Sequence, residues 1–117
     1  MNKEELVQFA ESFFGGAIET MKKKNADYSG SSQNTFANFT AVEIYGIKTE
    51  VGFMTRMTDK MARIASFIKN GELMVKDESV QDTLLDLANY SMLFAAYLES
   101  VKAKLPLIQN RIEDERN

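Results

Sequence analysis

The 117-residue sequence contains no cysteine and no histidine. The absence of cysteine excludes disulfide bonds, thiolate zinc sites and cysteine nucleophiles, and the absence of histidine removes imidazole from catalysis and metal binding. Any metal ion must therefore be held by oxygen ligands. Such ligands favour a hard cation, Mg2+ or Mn2+, over zinc, copper or haem iron.

The sequence is also poor in proline, in glycine and in charge of one sign. One proline and six glycines leave little room for low-complexity linkers. Fourteen basic and seventeen acidic residues give a net charge of −3, without the basic excess of a general nucleic-acid binder. No stretch approaches the ~18 to 20 apolar residues that span a bilayer, and the first residues lack a signal peptide's apolar section. We therefore expect one cytoplasmic domain, residues 1–117, with no membrane partner.

Apolar residues recur at three-and-four spacing in three segments, which predicts three amphipathic helices and an all-α fold. The segments run from Glu4 to Lys24 with a stop near Asn25, from about Lys48 to Asn70, and from a cap near Asp77 to about Lys104. A short fourth helix is expected from Leu107 to near Glu115, after Pro106. Between the first two helices, residues 25–46 lose the periodicity and predict a long loop, which is unusual unless it has a function.

The apolar faces of the second and third helices indicate what they bury. The second helix carries Val51, Met54, Met57, Met61, Ile64, Ala65 and Ile68 on one face. The third is predicted to bury Val80, Leu84, Leu87, Ser91, Phe94, Ala95 and Leu98. Further apolar residues lie beside that line, at Leu85, Met92 and Leu93, so we expect burial against another subunit in a homo-oligomer.

Charged residues form a stripe on each of these two helices. The second helix carries Arg56, Asp59, Lys60 and Arg63 within two turns. On the third helix Glu78, Asp82 and Asp86 recur every four residues and stack three carboxylates along roughly 12 Å. Like charges at this spacing repel each other by roughly a few tenths of a kcal/mol per pair. We therefore expect positive charge on the surface opposite these three carboxylates.

Two interpretations of the stripes are open. Antiparallel neighbouring helices could interlock them as salt bridges. Alternatively, a divalent metal ion could join the carboxylates to the phosphates of a nucleotide, with the basic residues binding the outer phosphates. Spacing alone favours the salt bridges, because charge stripes are usually solvated or paired. The aromatic residues of the loop, Phe36 and Phe39, likewise could pack the loop down or stack on a base.

Four blocks of sequence carry a family resemblance. They are Lys24-Asn25-Ala26-Asp27-Tyr28, Phe36-Ala37-Asn38-Phe39, Arg56-Met57-Thr58-Asp59-Lys60-Met61-Ala62-Arg63, and Asp77-Glu78-Ser79 leading into Asp82-Thr83-Leu84-Leu85-Asp86-Leu87-Ala88-Asn89-Tyr90. In order and spacing they resemble the nucleotide-modification-associated family of small phage and prophage proteins. That family in turn resembles the all-helical nucleoside triphosphate pyrophosphatases, the MazG-like and dimeric dUTPase group. The resemblance implies a MazG-like antiparallel helical bundle.

In those pyrophosphatases two facing helices present acidic residues to Mg2+, which binds the nucleotide's phosphates and positions a water to attack. Carried over, the resemblance implies metal ligands at Asp59, Glu78, Asp82 and Asp86, with Glu78 as the catalytic base. It implies phosphate contacts from Lys24, Arg56, Lys60 and Arg63. It implies base and sugar contacts from Asp27, Tyr28, Asn38 and Phe39.

The sequence departs from the enzymes on its second helix, which offers Asp59 and the distant Glu50 where the enzymes carry a cluster of glutamates. Three hypotheses follow. The first is a Mg2+-dependent pyrophosphohydrolase acting on a nucleoside triphosphate or modified nucleotide, in the host cytoplasm if phage-encoded. The second is a non-catalytic protein that sequesters a nucleotide or a nucleotide-derived defence signal. The third is a structural helical oligomer held by salt bridges.

Overall fold

The computed structural model describes residues 1–29, 35–71 and 79–104, with side chains described in these ranges except at 25–29 and 103–104. The regular elements in these ranges are all helices, with no strand among them, which confirms the predicted all-α class. The elements are α1 (Lys3–Ser29), α2 (Ala37–Thr40), a 3-10 helix (Ala41–Tyr45), α3 (Thr49–Asn70) and α4 (Val80–Lys104). The predicted stop at Pro106 and the predicted helix from Leu107 lie outside the described residues. No described helix is long and apolar enough to cross a bilayer.

The first helix continues beyond its predicted end. We expected it to stop near Asn25, and α1 instead reaches Ser29. Apolar periodicity reports which face of a helix is packed, and a polar helix with no breaker can continue after that periodicity ends. The predicted loop from Asn25 to Gly46 therefore contains the end of α1, the short helix α2 and the 3-10 helix.

Both ends of α3 match the prediction. Lys48 is extended, with φ −66° and ψ 143°, and the helix ends at Asn70. Gly71 has φ 77° and donates its N–H to the Phe67 carbonyl at 2.7 Å, a conformation in which glycine carries no Cβ penalty. These two signals explain why the second helix could be bounded from sequence.

The start of α4 is fixed by Ser79, two residues after the predicted cap at Asp77. The Asp82 backbone N–H donates to Ser79 Oγ at 3.1 Å, and the Ser79 backbone N–H donates to Asp82 Oδ2 at 3.1 Å. This reciprocal pair is a capping box, which satisfies two N–H groups at the helix start. Asp82 therefore has a structural role in beginning the helix that contains Asp86.

The core lies between α3 and α4 and is closed by α2. Phe39 and Phe53 are stacked with ring centroids 4.0 Å apart, and Phe53 and Phe94 are stacked at 4.8 Å. We call Phe39, Phe53 and Phe94 the aromatic stack. Gly52 permits this approach, because a Cβ there would lie 3.3 Å from the Phe39 carbonyl oxygen and from the Val42 side chain.

The fold reveals that much of the predicted buried surface is exposed in the single chain. On α4, Leu84, Ser91, Ala95 and Leu98 are exposed, and on α3 the exposed residues are Val51, Met54, Met61, Ala65 and Ile68. The prediction that α4 buries this line is therefore wrong for these four residues within one chain, whereas Phe94 of the same line stacks on Phe53 in the core. On α3 the core face carries Phe53 and Lys60, each about 100° around the helix from Met54 and Met61. Periodicity finds an apolar stripe but does not tell which surface covers it.

Candidate functional site

Two lysines from different helices converge on one carboxylate of a third. Lys24 Nζ of α1 lies 3.1 Å from Asp86 Oδ1, and Lys60 Nζ of α3 lies 3.0 Å from Asp86 Oδ2, on α4. We call these three residues the lysine–aspartate cluster. The cluster therefore joins α1, α3 and α4 through charged side chains.

The members of the cluster differ in their access to solvent. The Lys60 side chain is 11% exposed, the Asp86 side chain is largely buried, and the Lys24 side chain is 45% exposed. A buried ammonium group is costly unless it is paired and hydrogen-bonded, and Asp86 supplies that partner for Lys60. Lys24 therefore forms the outer side of the cluster, and Lys60 the inner side.

The packing of α3 against α4 explains why Lys60 meets Asp86. Lys60 lies seven residues, about two turns, after Phe53 on the same face of α3. On the antiparallel α4, Asp86 lies eight residues before Phe94, the ring that stacks on Phe53. The register that brings the two rings together therefore also brings Lys60 to Asp86.

A buried amide places α1 beside this pair. Asn89 Nδ2 of α4 donates to the Ala17 carbonyl of α1 at 3.0 Å, and both residues are buried. Lys24 follows Ala17 by two turns of α1 and approaches Asp86, one turn before Asn89 on α4. Asn89 thus positions Lys24, and sequence reasoning gave it no role. The feature of the sequence that could have indicated this role is the position of the Asn89 amide among apolar residues of α4.

Arg56 lies one turn before Lys60 and joins α3 to α2. Its guanidinium carbon is 5.0 Å from the centroid of the Phe39 ring, and its Nη2 donates to the Asn38 carbonyl at 3.4 Å. Asn38 is exposed, whereas Phe39 is buried in the aromatic stack. Of the two roles open to the loop aromatics, the structure shows packing, and the base contacts of Asn38 and Phe39 stay predictions. The side chains of Asp27 and Tyr28 lie outside the described part of the chain.

The predicted acidic residues have separate partners. Asp59 Oδ2 lies 3.6 Å from Arg63 Nε on the next turn of α3, at the exposed surface. Asp82 accepts the backbone N–H of Ser79, and this hydrogen bond and the Ser79 hydroxyl hold the pKa of Asp82 below its ordinary value of 3.8. Glu78 lies outside the described residues. The structure thus brings Asp86 to the lysines and gives Asp59 and Asp82 other contacts.

The fit of these acids to a divalent cation can be tested on their contacts. In residues 1–29, 35–71 and 79–104, no three acidic side chains form a group that could hold a metal ion. Both oxygens of Asp86 face ammonium groups, and one oxygen of Asp82 accepts a backbone N–H. The described carboxylates therefore do not fit a Mg2+ site in this arrangement, and a site that includes Glu78 stays a prediction.

Comparison with known proteins adds the family. The described part of the chain is all-helical and has two lysines and an aspartate in contact between its packed helices. A family model described as nucleotide modification associated domain 1 matches residues 24–96, more than half of the chain, and the chain belongs to this family. The matched stretch contains Lys24, Lys60 and Asp86. No curated protein and no solved structure matches the chain, so the resemblance to MazG-like enzymes is not confirmed.

Proposed function

We propose that this chain is a nucleotide-handling protein of phage type that binds the phosphates of a nucleotide at the lysine–aspartate cluster. The observation that carries the proposal is the convergence of Lys24 and Lys60 on Asp86, at 3.1 and 3.0 Å. Two ammonium groups held beside one carboxylate concentrate positive charge in one place, and Lys24 keeps that place open to solvent. The family description, which refers to nucleotide modification, supports a nucleotide as the source of the phosphate.

Asp86 holds the two ammonium groups close together, and a phosphate that reaches them gains ionic contacts with both. An ammonium group carries three hydrogen-bond donors, so a lysine that contacts a carboxylate can also contact a phosphate oxygen. Lys24 is the first contact, because its side chain is reachable from solvent. Lys60 contributes mainly as a nearby charge in a poorly solvated position, where electrostatic attraction is stronger than in water.

Two arginines of α3 extend the basic surface. Arg56 and Arg63 lie within one turn of Lys60 on either side, about 10 Å apart along the helix. A guanidinium group can bind phosphate through two parallel hydrogen bonds, which suits the outer phosphates of a nucleoside triphosphate. The exposed Asn38, beside Arg56, is then the nearest described candidate for a sugar or base contact.

The contacts of the acidic residues favour binding without hydrolysis. Such a protein would sequester a nucleotide or a nucleotide-derived defence signal. The competing function is Mg2+-dependent pyrophosphohydrolysis by a MazG-like bundle, which the four-residue spacing of Glu78, Asp82 and Asp86 supports. The two functions share the phosphate contacts and differ in the use of these acids.

Titration calorimetry with a panel of nucleoside triphosphates, with and without Mg2+, tests the binding. We expect Lys24→Met and Lys60→Met each to weaken binding by about tenfold or more, a change of about 1.4 kcal/mol. Lys22→Met is the matched control, because Lys22 lies on α1 in an exposed pair with Glu19 and should leave affinity unchanged. Circular dichroism checks folding. Absence of nucleotide binding by the natural sequence, or equal losses in all three variants, would contradict the proposal.

Pyrophosphate release separates binding from hydrolysis. We expect the natural sequence to bind without releasing pyrophosphate when Mg2+ is present. Release that is lost in Asp82→Ala, with triphosphate affinity retained, would instead establish the pyrophosphohydrolase.

A further inference from the structure

The outer side of α3 carries an apolar stripe that the single chain leaves uncovered. Its large members are Val51, Met54, Met61 and Ile68, each between 50% and 77% exposed. Thr58 and Ala65, also exposed, complete the series. We call these six residues the outer stripe of α3. Successive members are three or four residues apart over the whole length of the helix.

This spacing is the heptad pattern by which two helices pack along a seam. The stripe extends over about 26 Å at 1.5 Å per residue. It is separate from the core face, which carries Phe53 and Lys60. One helix thus has one apolar face for its own core and a second with no cover in the described part of the chain.

The area available is large enough for a stable interface. The accessible surface of the chain is 9025 Å2. A compact monomer of its mass, 13.2 kDa, would expose about 6,400 Å2, roughly 2,600 Å2 less. A standard interface buries about 800 Å2 per partner. The exposed area of the whole chain is therefore sufficient for a dimer contact, and the outer stripe of α3 is a candidate for it because large contiguous apolar surfaces are rare on monomers.

We propose that the outer stripe of α3 packs against the same stripe of a second copy, in an antiparallel pair. The stripe is self-complementary about a two-fold axis crossing α3 between residues 59 and 60. That axis places Val51 level with Ile68 of the second copy, Met54 level with Ala65, and Thr58 level with Met61. All three pairings come from one axis position, so no residue of the stripe is left without a counterpart.

The side chains suit this arrangement in size and polarity. Each methionine faces a smaller residue, which allows the two helices to interdigitate without overpacking. The positions flanking the seam near its centre are Thr55, Met57, Ala62 and Ile64, none of them charged. Thr55 Oγ1 donates to the Val51 carbonyl at 2.9 Å, so that hydroxyl already has a partner in its own helix.

Hydrodynamic mass of the full chain tests the pairing. We expect the natural sequence to have at least twice the 13.2 kDa of one chain, and Met61→Lys to halve that mass with helix content retained. Val7→Lys is the matched control, because Val7 on α1 is 56% exposed and Met61 is 55% exposed. A monomeric natural sequence, or an unchanged mass for Met61→Lys, would overturn the proposal.

Engineered cysteines test the register, since the chain has none of its own. In the proposed pair two copies of residue 51 are about 26 Å apart, too far for a disulfide. Val51→Cys alone should stay uncrosslinked on oxidation, and Val51→Cys combined with Ile68→Cys should form a covalent dimer. Crosslinking of Val51→Cys alone would show parallel helices and overturn the antiparallel register. Neither readout depends on nucleotide binding, so this proposal and the proposed function can fail separately.

Discussion

The aromatic stack and the lysine–aspartate cluster lie two turns apart in the same α3–α4 interface, and they differ in composition and in access to solvent. In the stack, Phe53 is fully buried between Phe39 and Phe94, with ring centroids at 4.0 and 4.8 Å. The cluster instead consists of charged side chains and has an outer member, Lys24, that solvent reaches. One region is closed to solvent, and the other is open to solvent on the side of Lys24.

This difference in composition indicates that the aromatic stack contributes more to the folding stability of the chain than the lysine–aspartate cluster does. Burial of apolar rings contributes directly to folding, whereas the attraction in a buried ion pair is largely offset by the desolvation of its charges. A lysine at the position of Lys60 is therefore poorly explained by stability alone. We infer that the stack sets the helix register and that the cluster uses this register to hold two ammonium groups in place.

The largest expected effect is the loss of the central ring. Phe53→Ala should lower the free energy of unfolding by about 3–5 kcal/mol, because it removes a fully buried side chain and leaves a cavity between two rings. Urea denaturation followed by circular dichroism measures the change. Phe14→Ala is the control, since Phe14 is an exposed phenylalanine on α1, and it should cost less than about 1 kcal/mol. Similar losses in both variants would contradict the assignment of the core.

The next effect separates stability from affinity within the cluster. Asp86→Asn should lower the free energy of unfolding by about 1–3 kcal/mol, because two ammonium groups lose their carboxylate while the exposure of Lys24 moderates the loss. The same change should tighten nucleoside triphosphate binding, since it removes one negative charge beside the two lysines. Denaturation and titration calorimetry measure the two changes. Weaker binding only in the presence of Mg2+ would indicate that Asp86 contacts the ligand through a metal ion, as the metal-site prediction requires, whereas weaker binding with and without Mg2+ would show that the carboxylate is needed to hold the lysines in place.

The sequence predicted the helices best where their ends carry chemical signals. Asn70-Gly71 bounded α3 correctly because glycine favours the left-handed conformation found at Gly71. The end of α1 carries no such signal. Its apolar periodicity ends near Asn25, before the helix itself ends, and the prediction therefore stopped too early. The cap of α4 was placed two residues early because Asp77 and Ser79 are both good capping residues and only the geometry distinguishes them.

The charged site could be predicted only in part. Opposite charges on the second and third helices anticipated a contact such as Lys60 with Asp86, which the structure shows at 3.0 Å. The pairing of Asp59 with Arg63 along its own helix was not anticipated, although the four-residue spacing permits it. Lys24 came from the family resemblance, because its meeting with Asp86 depends on how α1 crosses α4. That crossing is fixed by tertiary contacts such as Asn89 with Ala17.

The smallest expected effect compares Asp86 with the carboxylate one turn before it. Asp82 caps α4, and its pKa lies below the ordinary value because the Ser79 backbone N–H and hydroxyl favour the charged form. A lowered pKa in the folded chain stabilises it above the unfolded pKa, and this contribution is lost as pH falls through the folded pKa. Asp82→Asn keeps an oxygen acceptor and removes the charge. It should therefore lower the melting temperature slightly at pH 7, with the difference from the natural sequence shrinking below about pH 3.8.

The affinity of Asp82→Asn for nucleoside triphosphates completes the comparison. Because Asp82 contacts Ser79 and the two lysines contact Asp86, we expect this variant to bind like the natural sequence in the presence and absence of Mg2+. Calorimetry at pH 7, where both proteins remain folded, measures the two affinities. A loss of affinity confined to solutions containing Mg2+ would assign Asp82 to a metal site. An unchanged affinity, with Asp86→Asn binding more tightly, would place the phosphate at the lysines and leave Asp82 to begin the helix.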